Sequence, residues 1–207
     1  MLSDRDQATS DVSARPLRGL ADRVLAAPPR AGATRVVAVD GPSGSGKTTL
    51  AGRLAALLGG PVVHLDDLYP GWDGLADAVP RLVEWVLEPL GRGEPARYRR
   101  YDWVEGVYAE WHEVPTAPVL VVEGCASGSL AAAPYLSLLV WVEAPHDLRM
   151  ERGIARDGEA YRPHWERWAR QEDELYRTQR TRERADVRVD GAPQVPYDEA
   201  SEYVPSP

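Results

Sequence analysis

Residues 41 to 48, GPSGSGKT, place three glycines, two serines, a lysine and a threonine in the spacing GxxxxGK[ST]. Glycines at those positions let the backbone curl until successive N–H groups face one anion, and a helix starting at the lysine adds its positive end. That chemistry is phosphate binding. Lys47 would reach the β- and γ-phosphates of a nucleotide as a compact charge, and the Thr48 hydroxyl would ligate Mg²⁺. Lys47 is also the one lysine in a chain whose lysines and arginines number 24. Arginine's planar fork is bulkier and aims its donors differently, so nucleotide binding explains a lysine kept here against an arginine-rich background. Gly41, Ser43, Gly44, Ser45, Gly46, Lys47, Thr48 and Thr49 are the candidate nucleotide-binding residues.

Three further groups could complete a phosphoryl transfer. HLDDLYPGWDG, His64 to Gly74, gathers Asp66, Asp67 and Asp73 with Tyr69 and Trp72 where an acceptor would sit. Any of the three aspartates could serve as base, with Asp66 favoured by its place at a strand's carboxyl end, and aspartates there could also simply cap a turn. VVEG puts Glu123 at the end of an apolar run, a costly place for a carboxylate without a partner and a fitting one for a second Mg²⁺ contact. DLRMERGIARD spaces Arg149, Arg152 and Arg156 at i, i+3 and i+7 on one helical face, which alone would read as a solvated surface. Trp72 could stack on a planar substrate or plug the end of the sheet, and Trp165 and Trp168 read as core packing.

These groups need a scaffold, and the intervening pattern supplies one. Short apolar runs at 35–40, 61–65, 118–124, 138–144 and 185–191 alternate with helical spacing at 49–59, 75–90, 145–157 and 165–184. The runs are apolar on both parities, as in strands covered on both faces. The expectation is an α/β fold: an open, mainly parallel five-stranded sheet with helices on both faces and ligands at the carboxyl ends of the strands. Residues 96–114 mix aromatic and polar side chains with two-residue alternation, which predicts an inserted β-hairpin. The expected domain organisation is a polar, disordered leader and a packing helix over 1–34, one domain over 35–191 with a lid over about 145–165, and a tail over 192–207 that wraps the surface or is disordered.

Composition narrows the function classes. A formal charge of -8 argues against nucleic-acid binding and for a small-molecule partner. The sequence contains no run of about 20 apolar residues, and the N-terminus lacks the apolar stretch of a signal peptide, so a cytoplasmic location without membrane contact is expected. A single cysteine, Cys125, excludes an internal disulfide framework and reads as a small buried residue.

In order along the chain, the phosphate loop, Asp66-Asp-Leu-Tyr69, Tyr101-Asp102-Trp103, Glu123-Gly124 and the arginine helix 147–157 resemble the uridine kinase branch of the P-loop kinases, which also holds phosphoribulokinase-like and pantothenate kinase-like enzymes. The resemblance spans Val36 to about Gly191. It implies a P-loop NTPase fold and an ATP- and Mg²⁺-dependent kinase acting on a hydroxyl of a small metabolite, with a pyrimidine nucleoside such as uridine or cytidine leading. By that resemblance Asp66 takes the substrate proton, Lys47, Arg152 and Arg156 act on the phosphoryl group, and Thr48 and Glu123 hold the metal. Asp67, Tyr69, Trp72, Tyr101, Trp103 and Glu123 would line the acceptor site. A histidine that recognises the pyrimidine in the family is replaced here by Gly106, with His112 further along the hairpin. That departure leaves room for another small alcohol, or for a non-catalytic ATP-binding regulatory module; an oligomer is compatible with either.

Overall fold

The computed structural model describes residues 13–159 and 162–207; of the leader expected over residues 1–15, residues 1–12 lie outside them, and Arg15 belongs to a short strand. In chain order the elements are β1 (Arg15–Pro16), α1 (Leu17–Ala26), β2 (Arg35–Asp40), α2 (Lys47–Leu58) and β3 (Val62–His64). A 3₁₀ turn (Leu65–Asp67) follows, and then α3 (Leu75–Leu82) runs through a π-helical turn (Val83–Leu87) into α4 (Glu88–Gly91). The chain continues through β4 (Ala96–Asp102), β5 (Val107–Val114), β6 (Val119–Glu123) and β7 (Leu136–Glu143). It ends with α5 (His146–Asp157), α6 (Arg162–Gln179), α7 (Thr181–Arg184), β8 (Val187–Asp190) and β9 (Glu202–Tyr203).

The central sheet has the order β3-β6-β2-β7-β8 and every neighbouring pair is parallel. Alternation along β2 explains its all-apolar sequence: Val36 and Ala38 enter one core, Val37 and Val39 the other. The first core lies under α3, the π turn, α4 and the hairpin and includes Trp168 of α6. The second lies under α1 and α2 and takes in Tyr203 of β9. The sheet is the five-stranded parallel one expected, with helices on both faces.

The helix ends follow from glycine. Gly46 precedes α2 and Gly59 follows it, both with left-handed backbone, which a residue with a Cβ adopts only at a cost. Helix α1 buries Leu17, Leu20, Ala21 and Val24 and packs on α2, so it is part of the second core. The tail returns to it. Strand β9 pairs antiparallel with β1, the Arg53 guanidinium donates to the Glu202 carbonyl, and the Asp190 N–H donates to the Val204 carbonyl at 2.8 Å.

The 96–114 segment forms the expected antiparallel hairpin, β4 against β5, pairing from Ala96 opposite Val114 to Asp102 opposite Val107 with a shift of register between Arg99 and Tyr101. Its turn is closed by Asp102, whose Oδ1 accepts the N–H groups of Val104 and Glu105, each at 3.0 Å, and by Gly106 at φ +69°. Gly106 is therefore a turn residue, and its backbone conformation disfavours any side chain there.

Candidate active site

The carboxyl ends of β2, β3 and β6 meet at one edge because the parallel register sets Val39 and His64 both opposite Glu123. The chain leaves β2 through Gly41, where an added Cβ would fall 2.0 Å from the Val142 carbonyl oxygen, and curls through Gly44 and Gly46, all three at positive φ. Lys47 opens α2. Its ammonium folds back over the loop to donate to the Pro42 carbonyl at 2.9 Å and lies 3.6 Å from the Cys125 sulfur. Burial alone would lower the ammonium's pKa, and the Cys125, Glu172, Glu123 and Asp40 side chains around it reverse that and hold it above the ordinary lysine value. The loop thus keeps a full positive charge at its centre.

A cavity of about 980 Å³ opens above this loop. Of the sequence-derived residues it is lined by Ser43, Gly44, Gly46, Lys47, Thr48 and Thr49 from the loop, and by Asp66, Asp67, Tyr69 and Trp72 from the segment after β3. Tyr101 and Trp103 of the hairpin, Glu123, and Arg152 and Arg156 of α5 complete the list. Gly41 and Ser45 lie beneath the cavity; Ser45 is fully buried. Asp73 stands apart, ion-paired with Arg167 at 3.2 Å, which leaves Asp66 and Asp67 as the aspartates facing the cavity.

Glu123 is only 3% exposed, yet its carboxylate is well partnered. The Thr48 hydroxyl donates to it at 3.3 Å and the His64 Nδ1 lies 2.6 Å from Oε1. The hydrogen-bonded carboxylate raises the His64 pKa against the opposing effect of burial. Asp66 sits on the 3₁₀ turn with its side chain open to the cavity and walled by protein elsewhere; desolvation, and then the Glu123 charge, raise its pKa. Asp67 accepts a hydrogen bond from the Tyr98 hydroxyl at 3.0 Å, a contact that leaves Asp66 as the less encumbered carboxylate.

The opposite wall is aromatic. Trp72 stacks on His164 with ring centroids 4.6 Å apart and a 2° interplanar angle, and meets Trp103 at 4.8 Å. Tyr101 meets Trp103 edge-on at 5.6 Å, and the Trp103 Nε1–H donates to the Asp66 carbonyl at 2.9 Å, so the hairpin is tied to the segment carrying the aspartates. Tyr69 is buried, its hydroxyl donating to the Cys125 carbonyl at 2.9 Å. His112 is outside the cavity: it stacks on Tyr98 at 5.5 Å and lies 3.0 Å from a Glu110 oxygen.

On α5, Arg152 donates to the Gly44 and Gly191 carbonyls at 3.3 and 3.0 Å, and Arg156 forms an ion pair with Asp157 at 2.7 Å. Arg149 is different. It turns inward, 9% exposed, and donates to the Ser43 carbonyl at 3.1 Å. A second cavity of about 500 Å³ shares Gly46, Thr49 and Arg152 with the first and extends between α2 and the tail, past Leu50, Val189 and Tyr197.

Sequence reasoning passed over four residues here: Asp40, His64, Glu172 and Trp168 as a cavity residue. Asp40 ends β2 and accepts the N–H groups of Gly41, Ala126 and Gly128 and the Tyr176 hydroxyl, which locks the loop's first residue to the segment after β6. Glu172 was legible, as the one carboxylate on the stripe Trp165, Trp168, Glu172 of α6. Among the described residues no three His, Cys, Asp or Glu side chains cluster as a metal cage, and no helix is long and apolar enough to cross a membrane.

No protein-family model matches the chain. Over 137 residues it is 34% identical to a tRNA dimethylallyltransferase of Geobacter sulfurreducens, a match that covers 59% of this chain and 43% of that protein. The chain therefore spans less than half the length of this curated relative. Among solved structures it superposes with a TM-score of 0.61 on a protein described as a possible uridine kinase from Bacillus stearothermophilus, at 22% identity and covering 83% of this chain and 96% of that one. A candidate fructose transport system kinase from Silicibacter sp. TM1040 superposes with a TM-score of 0.51, again at 22% identity, covering 83% and 95%. At these identities the likeness is one of fold, and the fold is that of P-loop kinases.

Proposed function

We propose that the chain is an ATP-dependent kinase that transfers the γ-phosphoryl group to a hydroxyl of a small metabolite, with a pyrimidine nucleoside, uridine or cytidine, as the leading acceptor class. The observation that carries this reading is one cavity holding the phosphate loop with Lys47, the Thr48–Glu123 pair, Asp66 and an aromatic wall. A simple nucleotide-binding module has no use for the last two.

The residues fit both absent groups. Three loop glycines in positive-φ backbone around a buried ammonium form a phosphate cradle, and the second cavity, lined by Leu50, Leu148 and Val189 together with Arg53 and Asp190, offers a slot of mixed polarity for a nucleobase beside it. Thr48 and Glu123 present hard oxygen donors 3.3 Å apart, and two protein ligands suit Mg²⁺, which keeps waters and substrate phosphates in its remaining positions. Bound there, the ion would neutralise charge on the transferring phosphate.

Asp66 is placed to accept the acceptor's hydroxyl proton, and its raised pKa makes it a better base than an ordinary aspartate. His64 orients Glu123 through the 2.6 Å contact. Arg152, already at the loop, and Arg156, at the cavity edge, supply charge to the phosphoryl oxygens. Trp72, Tyr101 and Trp103 offer ring faces and edges to a planar acceptor. With Gly106 committed to the hairpin turn and His112 outside the cavity, pyrimidine recognition falls to these aromatics and Asp67.

The test is ADP release from ATP and Mg²⁺ over nucleosides, nucleoside monophosphates, sugars and pantothenate, with Lys47→Ala alongside. Release stimulated by uridine or cytidine and abolished in the variant supports the nucleoside reading. Stimulation by another alcohol moves the acceptor, and ATP binding without stimulated release replaces the kinase by a regulatory module. The tRNA dimethylallyltransferase likeness supplies one further arm, prenyl transfer to tRNA, which the charge of -8 disfavours.

A further inference from the structure

The phosphate loop is gripped on both sides of one residue, Ser43, by a buried ion pair that the phosphoryl chemistry does not use. The Ser43 N–H donates to Glu172 Oε1 at 2.6 Å, and the Ser43 carbonyl accepts from Arg149 Nη1 at 3.1 Å. The two side chains close on each other at 3.6 Å, Arg149 from α5 and Glu172 from α6. Glu172, 2% exposed, also accepts from the Trp168 indole at 2.9 Å and the Cys125 thiol at 3.1 Å, both on the Oε1 that takes the Ser43 N–H, while Oε2 faces Arg149. Arg149 donates in addition to the Ala144 carbonyl and lies over the Trp165 ring. The next residue shows how close the contact is: a Cβ on Gly44 would fall 2.4 Å from the Arg149 carbonyl oxygen.

We propose that Arg149 and Glu172 are positioning residues that hold the two peptide groups flanking Ser43 in the orientation which turns the N–H groups of Gly44 and of Gly46 to Thr48 toward the nucleotide phosphates, the Ser45 N–H being taken by the Pro42 carbonyl. The inference rests on the nucleotide reading above and goes beyond it. The Ser43 N–H belongs to the Pro42–Ser43 peptide and its C=O to the Ser43–Gly44 peptide, so the two contacts pin the planes on either side of the Ser43 Cα, and the backbone downstream inherits that orientation. The same pair sets the loop's distance from α5, which carries Arg152 and Arg156, so loop and arginines move as one unit. Arg149 therefore has a role separate from the two arginines that share its helical face.

Buried ion pairs contribute little net stability and are often replaceable by apolar side chains, so stability alone does not require this one. That fact supplies the test. The double variant Arg149→Met/Glu172→Met removes both charges, fills the volume and should keep the fold, while Glu172→Gln retains an acceptor for the Ser43 N–H. Affinity is read with a fluorescent ATP analogue in Mg²⁺, which needs no acceptor, together with the thermal midpoint of the nucleotide-free protein.

The expected result is a Kd for the analogue raised about tenfold or more in the double variant, the loss expected for charge-assisted hydrogen bonds. Glu172→Gln should fall between it and the wild type, with thermal midpoints close to one another. A folded double variant with wild-type affinity overturns the proposal. So does a fall in thermal midpoint with unchanged affinity, the mark of a purely structural pair. Failure of every phosphate acceptor with analogue binding intact would remove the kinase reading and leave this one standing; a wild type that binds no nucleotide would remove both.

Discussion

Lys47→Arg keeps the charge and changes only the shape, and in a chain where every other lysine or arginine is arginine it is the most searching substitution available. The Lys47 side chain is 7% exposed, with its ammonium 2.9 Å from the Pro42 carbonyl and 3.6 Å from the Cys125 sulfur. A guanidinium must fit its extra atoms where the ammonium now meets the Pro42 carbonyl and the Cys125 sulfur, and overpacking of this kind costs about 1–3 kcal/mol. It also displaces the point charge from the phosphates, and a hydrogen bond to a charged group is worth about 1.5–3 kcal/mol, or roughly 10- to 150-fold in nucleotide affinity. The first cost should appear as a thermal midpoint lower by about 2–10 °C in the nucleotide-free protein. The second should appear as weaker binding of an ATP analogue and a matching fall in kcat/KM. The two are separable, because the first is measured without ligand. An arginine variant binding within about threefold of the wild type would show that charge alone suffices at this position, and the shape argument would be wrong.

Asp66→Asn should retain ATP binding and lower kcat by about 10²- to 10⁴-fold, as loss of a general base does, with ADP release as the readout; unchanged turnover would transfer the role to Asp67. Trp72→Ala should raise the acceptor KM about 2- to 10-fold while leaving ATP affinity unchanged, since an aromatic contact is worth about 0.5–1.5 kcal/mol and Trp72 belongs to the aromatic wall, packed on His164 and Trp103, and not to the phosphate loop. Glu143 tests the tail. Burial opposes its ionisation, but hydrogen bonds from Arg182, Ser206 and Trp141 outweigh it and lower its pKa from 4.5 to about 2. A carboxylate lowered in the folded state contributes stability above its unfolded value and loses it as pH falls from 4.5 toward 2. Full conversion would be about 3 kcal/mol, which solvent screening of a partly exposed pair reduces to roughly 1 kcal/mol. Glu143→Gln should therefore melt about 2–4 °C lower near neutrality, with the gap closing in acid.

The sheet was readable because β2, β6 and β7 are largely apolar on both parities, because β2, β6 and β8 run into a glycine, and because α2 begins at a loop whose glycines fix its start. The aspartates and Glu123 could be placed at one edge by their positions at strand ends, whereas the arginines, whose spacing alone reads as a solvated helix face, came there only through the family resemblance. What pattern could not supply was pairing across elements. His64 meets Glu123 only because β3 and β6 are neighbours in register, a fact of strand order. Arg149 shares a face with Arg152 and Arg156, but spacing along a helix gives no account of which turn abuts the loop; the first turn does, and that arginine is consumed there. Glu172 sat on a legible stripe with two tryptophans, yet a stripe identifies what is buried without naming the distant backbone group it holds. Gly106 reads as a missing recognition residue in one dimension and as a hairpin turn in three.

The zipped pair β1 and β9 sets Arg15 directly across from Tyr203, so the two extremities of the described backbone are neighbours in space. Joining them by a short flexible linker and reopening the chain at the exposed hairpin turn around Val104 would preserve the uninterrupted run from β2 through α2. Such a circular permutant should fold and still bind nucleotide, while the cut hairpin strands, freed to move independently, would report by themselves how much the aromatic wall depends on being one continuous ribbon.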